Sequence, residues 1–230
     1  GCAAPASSSA SPPRGILILL VDCLRADHLA AGGSTLGATP NLDRLASQAV
    51  VFDRASAVAS WTRPSVPSIW TGLYPSEHGL TDLIEGGKGV RGGVLSEDAV
   101  TVSEAMQAAG YRTALIGNQF QLSPRFGMAQ GFDLYQNNVK SAHGMRENLV
   151  GWLDEAPGKP FFAYLHYLEI HWPYWQKAST RGRYGSDAIT SHLDSNLDEL
   201  RAAVDSGAVV LDEADRMEIA ARYAEALAAL

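Results

Sequence analysis

Apolar and polar positions divide this chain into strand-length runs and helical periods. Gly15-Ile16-Leu17-Ile18-Leu19-Leu20-Val21 is apolar at successive positions, which suits a central strand covered on both faces. Leu42, Leu45 and Ala49 recur at helical spacing within Asn41–Ala49, with Thr39 placed as N-cap and Pro40 at the first helical position. Val50-Val51-Phe52 begins a strand or extended segment leading towards Trp61. Thr101-Val102-Ser103-Glu104 is a capping box opening a helix that ends at Gly110, and Tyr111–Gly117 is then a buried strand. A helix from about Val139 to Ala156 buries Leu149, Trp152 and Leu153, and Pro160–Leu165 is a further strand. Helices from about Asp187 to Ser206 and from Asp212 to Leu230 close the chain, and their acids (Asp194, Asp198, Glu199, Asp212, Glu213, Asp215) read as solvated faces.

A short helix is expected to start at Thr62. Pro64 and Pro67 fall in its first turn, where a missing N–H costs little, and Gly72 stops it. A helix N-terminus presents unpaired N–H groups and a partial positive charge, so the hydroxyl of Thr62 can serve there as a cap or as a nucleophile. Asp22 ends the apolar run at a strand's carboxyl end, where open α/β sheets form their sites. It is either paired or metal-bound, or it caps the next turn. Cys23 follows as packing or as a soft ligand, while Arg25 and Asp27 hold the loop together. Five glycines between Leu83 and Val94 lack the spacing of a phosphate loop and read as a surface loop.

Composition changes this picture in two places. A net charge of -7 over 230 residues argues against general nucleic-acid binding, which needs a basic stripe. No apolar run reaches the roughly 18 residues that a membrane span needs. The opening Gly1-Cys2, followed by an Ala/Ser/Pro tract, resembles a lipoprotein cut at a lipidated Cys2 and tethered to a bacterial cell envelope, periplasmic or at the surface. The alternative is a plain flexible linker over residues 1–14.

Longer motifs then carry a resemblance. Thr62-x-Pro64-Ser65, followed by Thr71-Gly72-x-Tyr74-Pro75-x-x-His78-Gly79, resembles the signature of the sulfatase family within the alkaline-phosphatase superfamily. That signature reads C-x-P-S-R and then T-G-x-Y-P-x-x-H-G, with its Cys oxidised to formylglycine. Gly110-Tyr111-x-Thr113-x-x-Ile116-Gly117 is similar to the second signature of the family. Phe126–Asp133, otherwise a glycine-rich turn with two aromatic anchors, matches a segment common in sulfatase-like proteins, and His166–Tyr174 resembles an H-x-x-x-x-H-x-P-Y ending. Four positions depart from the pattern. Thr62 stands for the Cys, Val66 for the Arg that supports the aldehyde, Asn118 for a sulfate-gripping Lys, and Cys23 for a second Asp.

The resemblance implies an α/β fold, a three-layer sandwich on a central, mostly parallel sheet. It covers residues 15–230 as the N-terminal part of a catalytic domain, with the last metal ligands expected beyond Leu230. It also implies Asp22 and Thr62 on a divalent metal (calcium, zinc or manganese), Thr62 as nucleophile, and His171 on a substrate oxygen or leaving group. Ser65 and Asn118 would contact substrate, Asn118 alternatively serving a turn. His166 is taken as internal packing and His78 as a structural loop residue. The expected activity is hydrolysis or transfer on phospho- or sulfo-esters of a small molecule, glycan or lipid headgroup. Phosphate is expected to be preferred, because Thr62 cannot become the aldehyde that expels sulfate. The rival reading is a non-catalytic relic of the fold that binds a carbohydrate or a protein partner.

Overall fold

A computed structural model describes residues 14–82, 93–172, 174, 177–185 and 197–230. Residues 83–92 of the expected glycine-rich loop (83–94) and the first part of the expected helix from Asp187 lie outside them. The described residues fall into two compact units, and the division runs through several elements.

The first unit holds residues up to Leu19, Arg63–Val139 and Met145–Leu165. Its sheet has the order β1 (Gly15–Val21), β4 (Phe161–Tyr167), β2 (Arg112–Gly117), β3 (Leu134–Gln136). β2 and β3 run parallel, with Ala114 opposite Leu134 and Ile116 opposite Gln136. Side chains alternate along β4, so Tyr164 and Phe161 lie on opposite faces. Trp70 of helix α2 (Thr62–Thr71) meets the Tyr164 ring edge-on at 5.1 Å, and Trp152 of helix α5 (Ala142–Asp154) meets Phe161 at 6.4 Å. Helices therefore cover both faces of β4, which gives the three layers. Helix α4 (Val102–Ala108) begins with the expected box: the Glu104 N–H donates to Thr101 Oγ1 at 3.2 Å, and the Thr101 N–H donates to Glu104 Oε2 at 2.8 Å. Gly131 has φ +73°, and a Cβ there would lie 2.3 Å from the Glu104 nitrogen, so only glycine lets the turn before β3 approach α4.

Three expectations need correction. β1 lies at the end of the described sheet, and Leu17 and Leu19 on one of its faces are 45% and 48% exposed. A wholly apolar run signals two covered faces, and the described elements cover one. Residues 50–58 form no strand, and Val50 and Phe52 are exposed. β propensity alone does not make a strand without a partner edge. Pro67 stands inside α2 rather than in its first turn.

The interior of α2 is instead held by His78, from the one-turn helix α3 (Pro75–His78). The Leu80 N–H donates to His78 Nδ1 at 3.1 Å, so Nε2 carries the hydrogen, lying 3.0 Å from Ser68 Oγ and 3.1 Å from the Pro64 carbonyl. His78 is thus structural, as expected.

The second unit holds Leu20–Thr62, Lys140–Gly144 and His166–Leu230. It contains helices α1 (Pro40–Ala46), α6 (Leu197–Asp205) and α7 (Glu213–Ala228). Thr39 precedes α1 as expected, but its hydroxyl donates to the Asp43 side chain at 3.0 Å rather than capping the backbone. The unit's core gathers Ala38, Ile170, Tyr223, Ala226 and Leu227. The acids of α7 are not all solvated. Asp212 is its N-cap, and Asp215 is 4% exposed because it closes the capping box by accepting from the Asp212 N–H. Glu218 is likewise buried, paired with Arg222 at 2.8 Å.

Candidate active site

Asp22 follows β1 directly, and its N–H donates to the Tyr167 carbonyl of β4 at 2.9 Å. At the other end of the same pair the Phe161 N–H donates to the Arg14 carbonyl, so the two strands run in one direction and finish side by side. Asp22 and His166 are therefore delivered together at adjacent carboxyl ends. Thr62, the first residue of α2, completes the group. Its hydroxyl donates to Asp22 Oδ2 at 2.9 Å, and His166 Nε2 lies 3.1 Å from the same oxygen. The Cys23 thiol donates to Asp22 Oδ1 at 3.5 Å.

Burial pushes the Asp22 carboxyl up. The hydrogen bond and charge of His166, then the hydrogen bonds of Thr62 and Cys23, outweigh it and hold the group well below the usual carboxylate range. Asp22 is thus ionised at neutral pH and accepts on both oxygens. The Cys23 thiol is pushed up to about 11 by burial and by the Asp22 charge, so it stays protonated and is a poor nucleophile.

The sequence-derived candidates fare differently. Asp22 and Thr62 come together as expected. His166, set aside as packing, is fully buried but also holds Asp22. One signal was available for it: a histidine near the end of an otherwise apolar buried strand needs a polar partner. His171 is exposed, and its Nδ1 donates to the Trp172 carbonyl at 2.9 Å. It shares no described contact with the other three. Ser65 is half-buried in α2, and Asn118 is half-buried directly after β2. The turn after Asn118 is fixed by Gln119 and Asn137: the Gln119 N–H donates to Asn137 Oδ1 at 2.8 Å, and Asn137 Nδ2 donates to the Gln119 carbonyl at 2.6 Å.

Asp22, partly buried and ionised, beside a hydroxyl oxygen, fits a hard divalent ion as one part of an oxygen ligand set. Among the described residues no group of three or more His, Cys, Asp or Glu is arranged to hold a metal.

The family model named Sulfatase matches residues 14–228. The chain belongs to the sulfatase family. Similar curated relatives include an N-acetylglucosamine-6-O-sulfatase of Bacteroides thetaiotaomicron, 32% identical over 57% of this chain and 21% of the relative. Arylsulfatase H of Canis lupus familiaris is 34% identical over 46% of this chain and 20% of the relative. The match thus spans about a fifth of these sulfatases' length. Among solved structures, the phosphonate monoester hydrolase of Agrobacterium radiobacter superposes with a TM-score of 0.66 at 19% identity, over 93% of this chain and 56% of that one. A protein solved with its substrate D-glucosamine-2-N,6-O-disulfate superposes with a TM-score of 0.61 at 18% identity, over 93% and 58%. Both likenesses establish the α/β fold that this sulfatase-family chain shares.

Proposed function

We propose that the full-length protein hydrolyses sulfo- or phospho-esters of a sugar or lipid headgroup, with Thr62 as nucleophile. The observation that supports this most is the Thr62 hydroxyl donating to an ionised, partly buried Asp22 that His166 also holds. The family's curated relatives named above are sulfatases, which supports the ester class.

In this reading Thr62 Oγ forms a bond to the sulfur or phosphorus. The ester bond breaks, and the proton that Thr62 Oγ gives up passes by way of solvent to the leaving alkoxide, which departs as the alcohol. Water then cleaves the Thr62 adduct, releasing sulfate or phosphate and restoring the hydroxyl. Asp22, held below the usual carboxylate range, is a weak base, so its part is to orient the Thr62 oxygen rather than to take its proton. The partial positive charge of a helix N-terminus, where Thr62 stands, favours negative charge building on the transferred group. A divalent ion bound by Asp22 and Thr62 would lower the hydroxyl pKa and polarise the ester oxygens. His166 keeps Asp22 in one rotamer.

Within this reading phosphate is preferred to sulfate. A sulfo-threonine has no second hydroxyl to expel the sulfate, whereas a phospho-threonine would be open to attack by water if a divalent ion held by Asp22 supplied its activation. The test compares kcat/KM of the metal-loaded full-length protein for 4-nitrophenyl phosphate, a bis-aryl phosphodiester and 4-nitrophenyl sulfate. Mass spectrometry follows the peptide bearing Thr62. Fastest turnover of the sulfate on an unmodified Thr62 would overturn the preference. Full activity in Thr62→Ala would overturn the nucleophile.

A further inference from the structure

The turn that follows Asp22 is held from far along the chain. Cys23 has φ +61°, in the left-handed region that side chains other than glycine rarely adopt. Without an external hold this residue would relax, and Asp22, its neighbour, would turn with it. The hold comes from Tyr223 on α7. Its Oη accepts from the Arg25 N–H at 2.8 Å and donates to the Cys23 carbonyl at 2.9 Å, so one hydroxyl bridges both ends of the strained turn. The ring is fixed in turn. It is 5% exposed, with His28 edge-on at 4.7 Å and Tyr174 edge-on at 5.5 Å, inside the core of Ala38, Ile170 and Leu227. A hydroxyl that both accepts and donates is required here, since one backbone partner is an N–H and the other a C=O.

From this geometry we infer that Tyr223 is a positioning residue for the reaction: it locks the Asp22–Arg25 turn and so fixes the carboxylate that orients Thr62. The inference rests on the functional reading above for its catalytic half and on geometry alone for the clamp.

Tyr223→Phe separates the two roles that the residue could have. The phenyl ring keeps the packing against His28 and Tyr174, so a purely structural ring predicts wild-type behaviour. Loss of the clamp predicts that hydrogen exchange at the Arg25 amide, followed by mass spectrometry in the full-length protein, speeds up at least tenfold, while peptides from β1 are unchanged. It also predicts that kcat on 4-nitrophenyl phosphate falls at least tenfold with KM within twofold. Glycine tolerates φ +61° without a hold, so introducing Tyr223→Phe into a Cys23→Gly background should cost kcat less than threefold. Unchanged exchange at Arg25 would overturn the clamp. Faster exchange with unchanged kcat would overturn the positioning role, as would an equal kcat loss in both backgrounds. A wild-type protein inactive on every ester would sink the functional reading and the positioning role with it, and the exchange data would then judge the clamp by itself.

Discussion

At the scale of residues, a carboxylate survives in a half-dry environment only when its charge is answered, and Asp22 is answered three times, by His166, Thr62 and Cys23. Removing it leaves His166 buried without this partner and Thr62 without its orienting acceptor. Asp22→Ala is expected to lower kcat on an activated aryl phosphate by about 10²–10³-fold, the size of loss seen when a single preorganised electrostatic group is removed from a site. Near-wild-type turnover would remove Asp22 from the site. The Cys23 thiol offers a probe of the same charge. Because Asp22 raises its pKa, Asp22→Asn should increase the thiolate fraction and so the rate of iodoacetamide labelling at Cys23. Peptide mass spectrometry at pH 8 in a chelator would read this, and an unchanged or slower rate would contradict the electrostatic coupling. Asp22 stood out as a candidate because it ends an apolar run, and Thr62 because it opens a helix within a motif that resembles the sulfatase signature. His166 was not, because its role depends on which strand lies beside β1.

At the scale of elements, two positions hold the first unit together. His78 satisfies the Leu80 N–H and the Pro64 carbonyl around the proline-interrupted α2. Its replacement by Ala strands buried polar groups, and we expect a loss of about 1–3 kcal/mol in unfolding free energy by denaturant titration. A loss below about 0.5 kcal/mol would mean that water replaces the imidazole at no cost. Gly131 combines a positive φ with a Cβ position already occupied by the Glu104 backbone nitrogen. Gly131→Ala should therefore destabilise by about 1–3 kcal/mol, or more if α4 cannot move aside. Retention of the wild-type melting temperature would show that the turn before β3 shifts freely. Helix α4 and its capping box were plain in the sequence because capping is a local contest between one side chain and the next turn. Strand β3 was not foreseen, since three residues carry too little periodicity to be seen before β2 supplies their partner.

At the scale of the whole molecule, the depressed pKa of Asp22 links the site to acid stability. The folded value lies below the unfolded one of about 3.9, so the contribution is present in full above that pH and is lost as pH falls towards the folded value. Unfolding free energies measured between about pH 5 and pH 2 should decline less steeply in Asp22→Asn than in the wild type. Parallel slopes would show that Asp22 titrates alike in both states. From the sequence alone came the α/β class, the family, the capping box of α4 and two candidates for the site, Asp22 and Thr62, because these rest on patterns that a chain carries in neighbouring residues. Tertiary structure decided the rest. It set the order β1-β4-β2-β3, which puts His166 beside Asp22, and it brought Tyr223 back to the Cys23 turn from 200 residues away. Hydrogen bonds between distant residues leave no local period, since either partner alone is only a polar group in an apolar stretch, and only the packed fold says which one answers it.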